Sequence, residues 1–368
     1  MKSYRTFSLL FLSFALGGSS LIMGFNAAID PFAIMNVPKL KGINQSKPET
    51  VNNSRLYKAI ESSRHDIKTL FLGASRVEEA LDPNSLELSN HQPAYNLAMQ
   101  GATYYEVRRY LEHAIATQKQ LKTILLGIDL WLLAYPEPTR PGFSEHRIKK
   151  RHLSLLEGLE LNLSWDTFQK SLDTLQQNQE EPETIYYHPN GLRDVGYIDL
   201  DFTHWLRFVV NKKKNEIVPE TLENIRIIRD LCAEHNIELK AFITPPHALQ
   251  FEGTIMAAGE ELIEQRKREV INILPAIDFS GYNSITTEPI GDRMTYYRDS
   301  SHFTVPVGDL ILNRVLEYNE DRVPDDFGVF VTPENIDDHL AKIRQDRARW
   351  IAENPDAIAT LQSFRKKR

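Results

Sequence analysis

The sequence predicts an α/β protein: a three-layer domain built on a parallel sheet, with an inserted subdomain and one amino-terminal membrane helix. Three observations carry that prediction. Short apolar runs alternate with longer stretches that are apolar at helical spacing, the rhythm of βαβ units. The first such run, residues 68–73, ends in the turn Gly73-Ala74-Ser75, which places Ser75 at the carboxyl edge of a strand. That edge is where open α/β sheets bind ligands. Finally, residues 6–29 carry no charged side chain, and a bilayer needs only about 20 apolar residues.

Composition sets the outer bounds. The 368 residues are 42% apolar and 25% charged, enough for one large domain with an appendage or for two domains. The formal charge of −7 gives no sign of a nucleic-acid partner. The single cysteine, Cys232, excludes an intramolecular disulfide framework and a Cys-based zinc site. It sits in an amphipathic helical pattern and reads as a small core residue. We expect no metal and no cofactor.

Taken in order, Lys2 and Arg5 precede the apolar stretch and Asp30-Pro31 closes it. The positive flank predicts an amino end inside and the bulk of the chain outside the cytoplasm. A cleaved signal peptide is the rival reading. The length of the run and the poor cleavage pattern at Asn26-Ala27-Ala28 favour an uncleaved anchor over residues 1–30. Residues 31–53 are polar and lysine-bearing, a linker. The α/β domain is expected over 54–320, with helices at 55–65, 104–118, 219–235, 256–273 and 307–319. Its strands are expected at 68–73, 95–98, 123–129, 239–244 and 276–279, the last of these being the final one. Residues 123–129 are apolar on both faces, as a buried parallel strand requires.

The rhythm breaks at 134–219, which is expected to be a lid or a docking surface. This insertion holds a basic patch (147–152), read as a solvated helix face, a helix near 165–177, and an aromatic piece from Tyr186 to Trp205. Residues 321–368 form a charged helical tail that opens on Thr332-Pro333 and ends in the basic run 365–368, read as a frayed terminus.

A serine hydroxyl becomes a useful nucleophile when a base takes its proton and a third group orients that base. Asp299-Ser300-Ser301-His302 can supply both from one turn, the carboxylate folding back on the imidazole. Backbone N–H groups at Ser75 and Gly101 are candidate oxyanion donors. Arg76 and Arg298 flank this site and could hold an anionic group, or serve as structural ion-pair partners. His247, after Pro245-Pro246, has two readings, a pocket wall and a surface-loop histidine. Asp129, at a strand end, could bind substrate or cap the strand.

These residues resemble a known family. Gly73-Ala74-Ser75 is similar to block I of the SGNH (GDSL-like) hydrolases, where a Gly-Asp-Ser turn carries the nucleophile. The run Asn96-Leu97-Ala98-Met99-Gln100-Gly101 resembles block II, whose last glycine lends an oxyanion N–H. Asp299 to His302, followed by Phe303-Thr304 and Gly308, resembles block V. The resemblance spans roughly residues 66–320 apart from the insertion, and it departs in two places. Ala74 stands where block I has its aspartate, and Ile128 stands where block III has the asparagine that completes the oxyanion hole. The resemblance implies a membrane-anchored serine esterase or O-acyltransferase acting on an envelope carbohydrate or polymer. With a degenerate block III, the chain resembles the proteins that work beside membrane-bound acyltransferases in alginate acetylation and teichoic-acid D-alanylation. The alternative is an inactive interaction or carbohydrate-binding protein, with Trp131, Trp165, Tyr186, Tyr187 and Trp205 as stacking surfaces, unless those rings lie in the core.

Overall fold

A computed structural model describes residues 2–180, 185–196, 201–211, 216–291 and 294–365. Its first helix, α1 (Lys2–Ile29), contains the stretch Tyr4–Ile29, long and apolar enough to cross a membrane at a mean hydropathy of 1.7. The polar residues that follow are not the linker that their composition predicts. Lys47 Nζ reaches back to the carbonyls of Ile29 (2.6 Å) and Asp30 (2.7 Å), satisfying the last turn of α1 and meeting the negative end of its dipole. Asp30 Oδ1 accepts the N–H groups of Ile34 and Met35, and Asn44 Nδ2 donates to Ala28 O at 3.1 Å. Phe32 and Ile34 then bury themselves against Leu56 and Ile60. Residues 30–48 therefore form a hydrogen-bonded collar that ties the apolar helix to the domain.

Two helices follow the collar, α2 (Glu49–Asn52) and α3 (Ser54–Ser62), and then β1 (Thr69–Leu72), α4 (Ser75–Ala80), β2 (Ala94–Asn96), α5 (Tyr104–Thr117) and β3 (Thr123–Ile128). The insertion contributes α6 (Leu155–Leu163), α7 (Trp165–Gln179), a hairpin of β4 (Tyr186–Tyr187) with β5 (Arg193–Asp194), and α8 (His204–Val209). The domain resumes with α9 (Pro219–Glu234), β6 (Glu238–Ile243), α10 (Ala248–Ala258), α11 (Glu260–Ile273), β7 (Ala276–Asp278) and α12 (Val305–Val315). It ends with β8 (Val329–Val331), α13 (Ile336–Glu353) and α14 (Pro355–Phe364).

The main sheet runs β2-β1-β3-β6-β7-β8, parallel except for β8, which lies antiparallel on β7. Alternate residues of each strand feed two apolar layers. Leu70, Leu72, Ile124, Leu126 and Ile128 face α5 and α9, whereas Phe71, Leu125 and Phe242 face α4 and α12. Every residue of β3 is buried. The chain leaves β1 for β2 on one side and then crosses to β3 on the other, so the strand order reverses between β1 and β3. Ser75 begins α4 at that reversal.

Several expectations change. The stretch expected as one helix over 256–273 is two, α10 and α11, broken at Gly259, whose φ of +91° suits a residue without Cβ. The strand at 276–279 is not the last, because β8 covers its outer edge. The tail is a pair of helices that folds back on α8 and α10, burying Trp350 and Leu361, and α13 starts at Ile336 rather than at Thr332-Pro333. Arg365 closes the described tail, and the rest of the expected basic end, 366–368, lies outside the described residues. The basic patch is not a helix face: it runs from one short turn, Glu145–Arg147, into irregular chain up to α6. Cys232 is a buried free cysteine, as its pattern predicts.

Candidate functional site

The turn that carries Ser75 is built by glycine. Gly73 has φ +151°, and a Cβ there would sit 2.7 Å from Val77 Cγ2. A Cβ on Gly127 of β3 would approach the same methyl to 2.3 Å, so α4 rests directly on bare backbone. Ser75 does not cap α4. The capping position is Ala74, and the hydroxyl is turned instead to His302, with Oγ 2.9 Å from Nε2.

His302 comes from a tight loop before α12. Asp299 accepts the backbone N–H groups of Ser301 (2.7 Å) and His302 (2.8 Å), and its carboxylate meets His302 Nδ1 at 2.8 and 3.0 Å. An ionised carboxylate only accepts, so Nδ1 carries the proton and Nε2 is left to accept from Ser75. Burial would raise the Asp299 carboxyl, but the hydrogen bond from His302, with the two backbone N–H groups, outweighs it and holds the group at about 2. Trp205 of α8 lies against the imidazole, ring centroids 5.9 Å apart. Gly308 lets α12 close on α4: a Cβ there would stand 1.9 Å from Ala80 O. That contact locks the histidine loop to the serine helix.

Arg76 lines the cavity beside this relay, but its guanidinium is not open to a ligand. Nη1 donates to Asp129 Oδ1 (2.6 Å) and Thr244 Oγ1 (3.0 Å), Nε to Ser301 O (2.8 Å), and Nη2 to Ser301 Oγ (3.0 Å). Asp129 is consumed in the same pair and is 1% exposed. Arg298 is paired through one nitrogen only: Nη2 is 2.5 Å from Glu79 and 3.7 Å from Asp299, whereas Nε is buried without a hydrogen-bond partner. These three residues join the ends of β3 and β6, the serine helix and the histidine loop.

His247 is neither a pocket wall nor a surface histidine. It is buried at 3% exposure, accepts Leu249 N–H at Nδ1 as the cap of α10, and donates from Nε2 to Glu288 O at 2.8 Å. Burial lowers its pKa to about 4, the bond to Glu288 opposing. Its own N–H holds Ser300 O at 3.1 Å, so it braces the loop between Asp299 and His302.

The turn at Gly101 and the end of β3 are the two places where oxyanion donors are expected. Residues 97–101 continue beside β1, with Met99 N donating to Gly73 O at 3.2 Å, which brings the Gly101 turn to the Ser75 edge. Gly101 has φ +62°, a left-handed value that costs other residues about 1–2 kcal/mol. Arg55 Nη2 pins Gln100 O at 3.0 Å, and in a trans peptide the Gly101 N–H must then point the opposite way. Ile128 does not face this site. Strand alternation turns its side chain to the α5 and α9 layer, fully buried, and the next residue, Asp129, presents its paired carboxylate.

Other supporting residues carry no motif. Lys58 is fully buried, paired with Glu78 at 3.4 Å, and donates to the carbonyls of Asn96, at the end of β2, and Ala98, on the way to Gly101. Tyr187 and Arg193 of the insertion hairpin bind Glu78 and Glu79 of α4. The only signal for Lys58 and Arg55 was their i, i+3 spacing on one face of α3, which reads equally well as a solvated face. An apolar cavity of about 130 Å³ lies beside the relay, walled by Trp131, Trp205, Phe208 and Phe251. The five aromatics do not form one stacking surface: Trp131 and Trp205 share this cavity, whereas Trp165 and Tyr186 are exposed elsewhere. Compared with known proteins, the chain matches no protein-family profile and no curated sequence.

Proposed function

We propose that the chain is a membrane-anchored serine esterase or O-acyltransferase of the SGNH type, working on an envelope carbohydrate or polymer. The observation that supports it most is the unbroken relay Ser75–His302–Asp299 at the reversal of strand order. His302 takes the Ser75 proton as Oγ attacks an acyl carbonyl, and Asp299 stabilises the imidazolium. Backbone N–H groups of Ser75 and Gly101 receive the oxyanion. Collapse of the tetrahedral species expels the leaving alkoxide, protonated by His302, and leaves an acyl-serine. A sugar hydroxyl or water then takes the acyl group by the reverse sequence. The apolar cavity beside the relay suits the acyl portion.

The reading places α1 across the inner membrane and the catalytic domain outside the cytoplasm, beside a membrane-bound acyltransferase as partner. A fluorophosphonate probe tests the chemistry: wild-type chain labels covalently and Ser75→Ala does not. Absence of labelling in a folded wild-type chain would overturn it. A periplasm-active phosphatase joined after Arg368 tests the topology, active if the reading holds and silent if it fails. One observation favours a second reading, an inactive partner-binding protein: the end of β3 offers the locked Asp129 carboxylate instead of a side-chain amide donor. Losing one such donor costs on the order of a hundredfold or more in rate.

A further inference from the structure

We propose that the exposed face of α6 and the start of α7 is a membrane-seating surface, resting in the headgroup and upper acyl region of the same bilayer that α1 crosses. The proposal rests on the reading of α1 as a membrane helix. Leu155, Leu156, Leu159, Leu163 and Trp165 are 83%, 65%, 38%, 45% and 62% exposed. On a helix of about 3.6 residues per turn the four leucines fall within about 100° of arc, the pattern of a helix lying in an interface. Trp165 adds the ring that favours that depth.

Position decides what covers this face. The insertion packs α6 and α7 on the last turns of α1, with Phe25 and Phe168 ring centroids 5.4 Å apart and Asn26 Nδ2 donating to Asn162 O at 2.9 Å. Along residues 4–21 α1 is exposed apart from a half-buried Gly18, and burial deepens from Ile22 onward. At about 1.5 Å per residue that free stretch covers only about 27 Å, short of the about 30 Å of a hydrocarbon core. With Arg5 kept at the headgroups the core starts no earlier than Thr6, so it must extend past Met23 to about Phe25. Met23 and Ala27 share an apolar groove of about 480 Å³ with Leu155 and Leu159, so the leucine face stands at the membrane boundary. Lys149 and Lys150, in the chain leading to α6, have side chains 58% and 47% exposed; each lies 3.5 Å from a carboxylate, Glu112 and Glu157 respectively, and its exposed side remains within reach of anionic headgroups. With the collar gripping the end of α1, the domain is held to the bilayer at two places and cannot swing freely on its anchor.

The test is depth measurement on the full chain in phosphatidylcholine–phosphatidylglycerol vesicles. Spin labels go on Leu155→Cys, Leu163→Cys and Trp165→Cys, with Leu12→Cys as the hydrocarbon reference and Arg349→Cys as the water reference. The native Cys232 is buried and its thiol pushed up to about 12 by burial, so it does not compete for label. Accessibility to a water-soluble nickel chelate should fall several-fold below the Arg349 position at all three sites, with oxygen accessibility between the two references. If the three sites match Arg349 while Leu12 is in hydrocarbon, the seating is overturned and the anchor stands. If Leu12 itself is water-accessible, the anchor reading fails and the seating with it. Sites shielded from both reagents would mean that a second copy or another protein covers the face, which also overturns the proposal.

Discussion

Ser75 and Arg76 are adjacent on α4, and each begins a polar chain that crosses to the histidine loop, yet the two chains are opposites. The Ser75 chain is open at one end: the hydroxyl of a half-buried residue donates to His302, and no other side chain of the relay occupies its oxygen. The Arg76 chain is closed, with all three guanidinium nitrogens engaged by Asp129, Thr244 and Ser301. A buried charge without partners is costly, so a closed network is the stable arrangement. A hydroxyl held in line with a base and left uncommitted on its oxygen is suited to reaction. Within one turn of helix the protein separates a group that can act from a group that holds.

That contrast fails if the two chains respond alike to mutation. The largest effect belongs to the open chain. His302→Ala and Asp299→Asn should lower the rate of fluorophosphonate labelling on the order of 10³-fold or more, Asp299→Asn by fixing the wrong tautomer. The melting temperature of Asp299→Asn, which keeps an acceptor for the backbone N–H groups of Ser301 and His302, should move little. The Ser75→Ala/His302→Ala double variant should be hardly worse than either single one, because the members act as a unit. A large loss of stability with labelling retained would reverse the roles.

The closed chain should show the opposite balance. Arg76→Met leaves Asp129 buried and unpaired, and should lower stability by about 4 kcal/mol in denaturant unfolding. A stability unchanged from wild type would mean that Arg76 is not a brace. Ile128→Asn sharpens the same point on β3. An amide at that position enters the apolar layer rather than the site, so it should cost about 3–4 kcal/mol and bring no gain in ester hydrolysis. A rise in activity would show that strand alternation had been misassigned.

The smallest effect is a pH dependence from His247. Its folded-state pKa is about 4, below the usual 6.5 because burial disfavours the cation. A proton on Nδ1 would also meet the Leu249 N–H that now points at it. The unfolded chain therefore binds the proton first as pH falls. Stability is full above about 6.5 and declines toward 4, by up to about 3 kcal/mol at the low end. Following Tm from pH 7 to 4 in wild type and His247→Asn checks this. Equal slopes would remove the histidine as the cause.

How much was legible follows from the range of the forces involved. The apolar helix, the β1 turn, the buried β3 and the Asp299-x-x-His302 loop are written in local pattern: hydrophobic period, glycine placement and short carboxylate-to-imidazole spacing. Each of these depends on a few neighbouring residues. Residues 30–48 misled because polar composition reads as linker, whereas Lys47 meets carbonyls of Ile29 and Asp30 that only the folded chain brings near. Val329–Val331 went unread because three residues give no period, and only an open edge on β7 makes them a strand.

By itself the sequence determined the class of the protein, α/β behind an apolar helix, and the identity of the three residues that form the relay. The tertiary structure alone decided which charged residues are occupied, which face Ile128 takes, and where the leucines of α6 stand relative to the end of α1. Those matters depend on partners far apart in the chain. Arg76 and Ser301 are an example: no local rule links them, and only packing α12 on α4 at Gly308 sets them within hydrogen-bond reach.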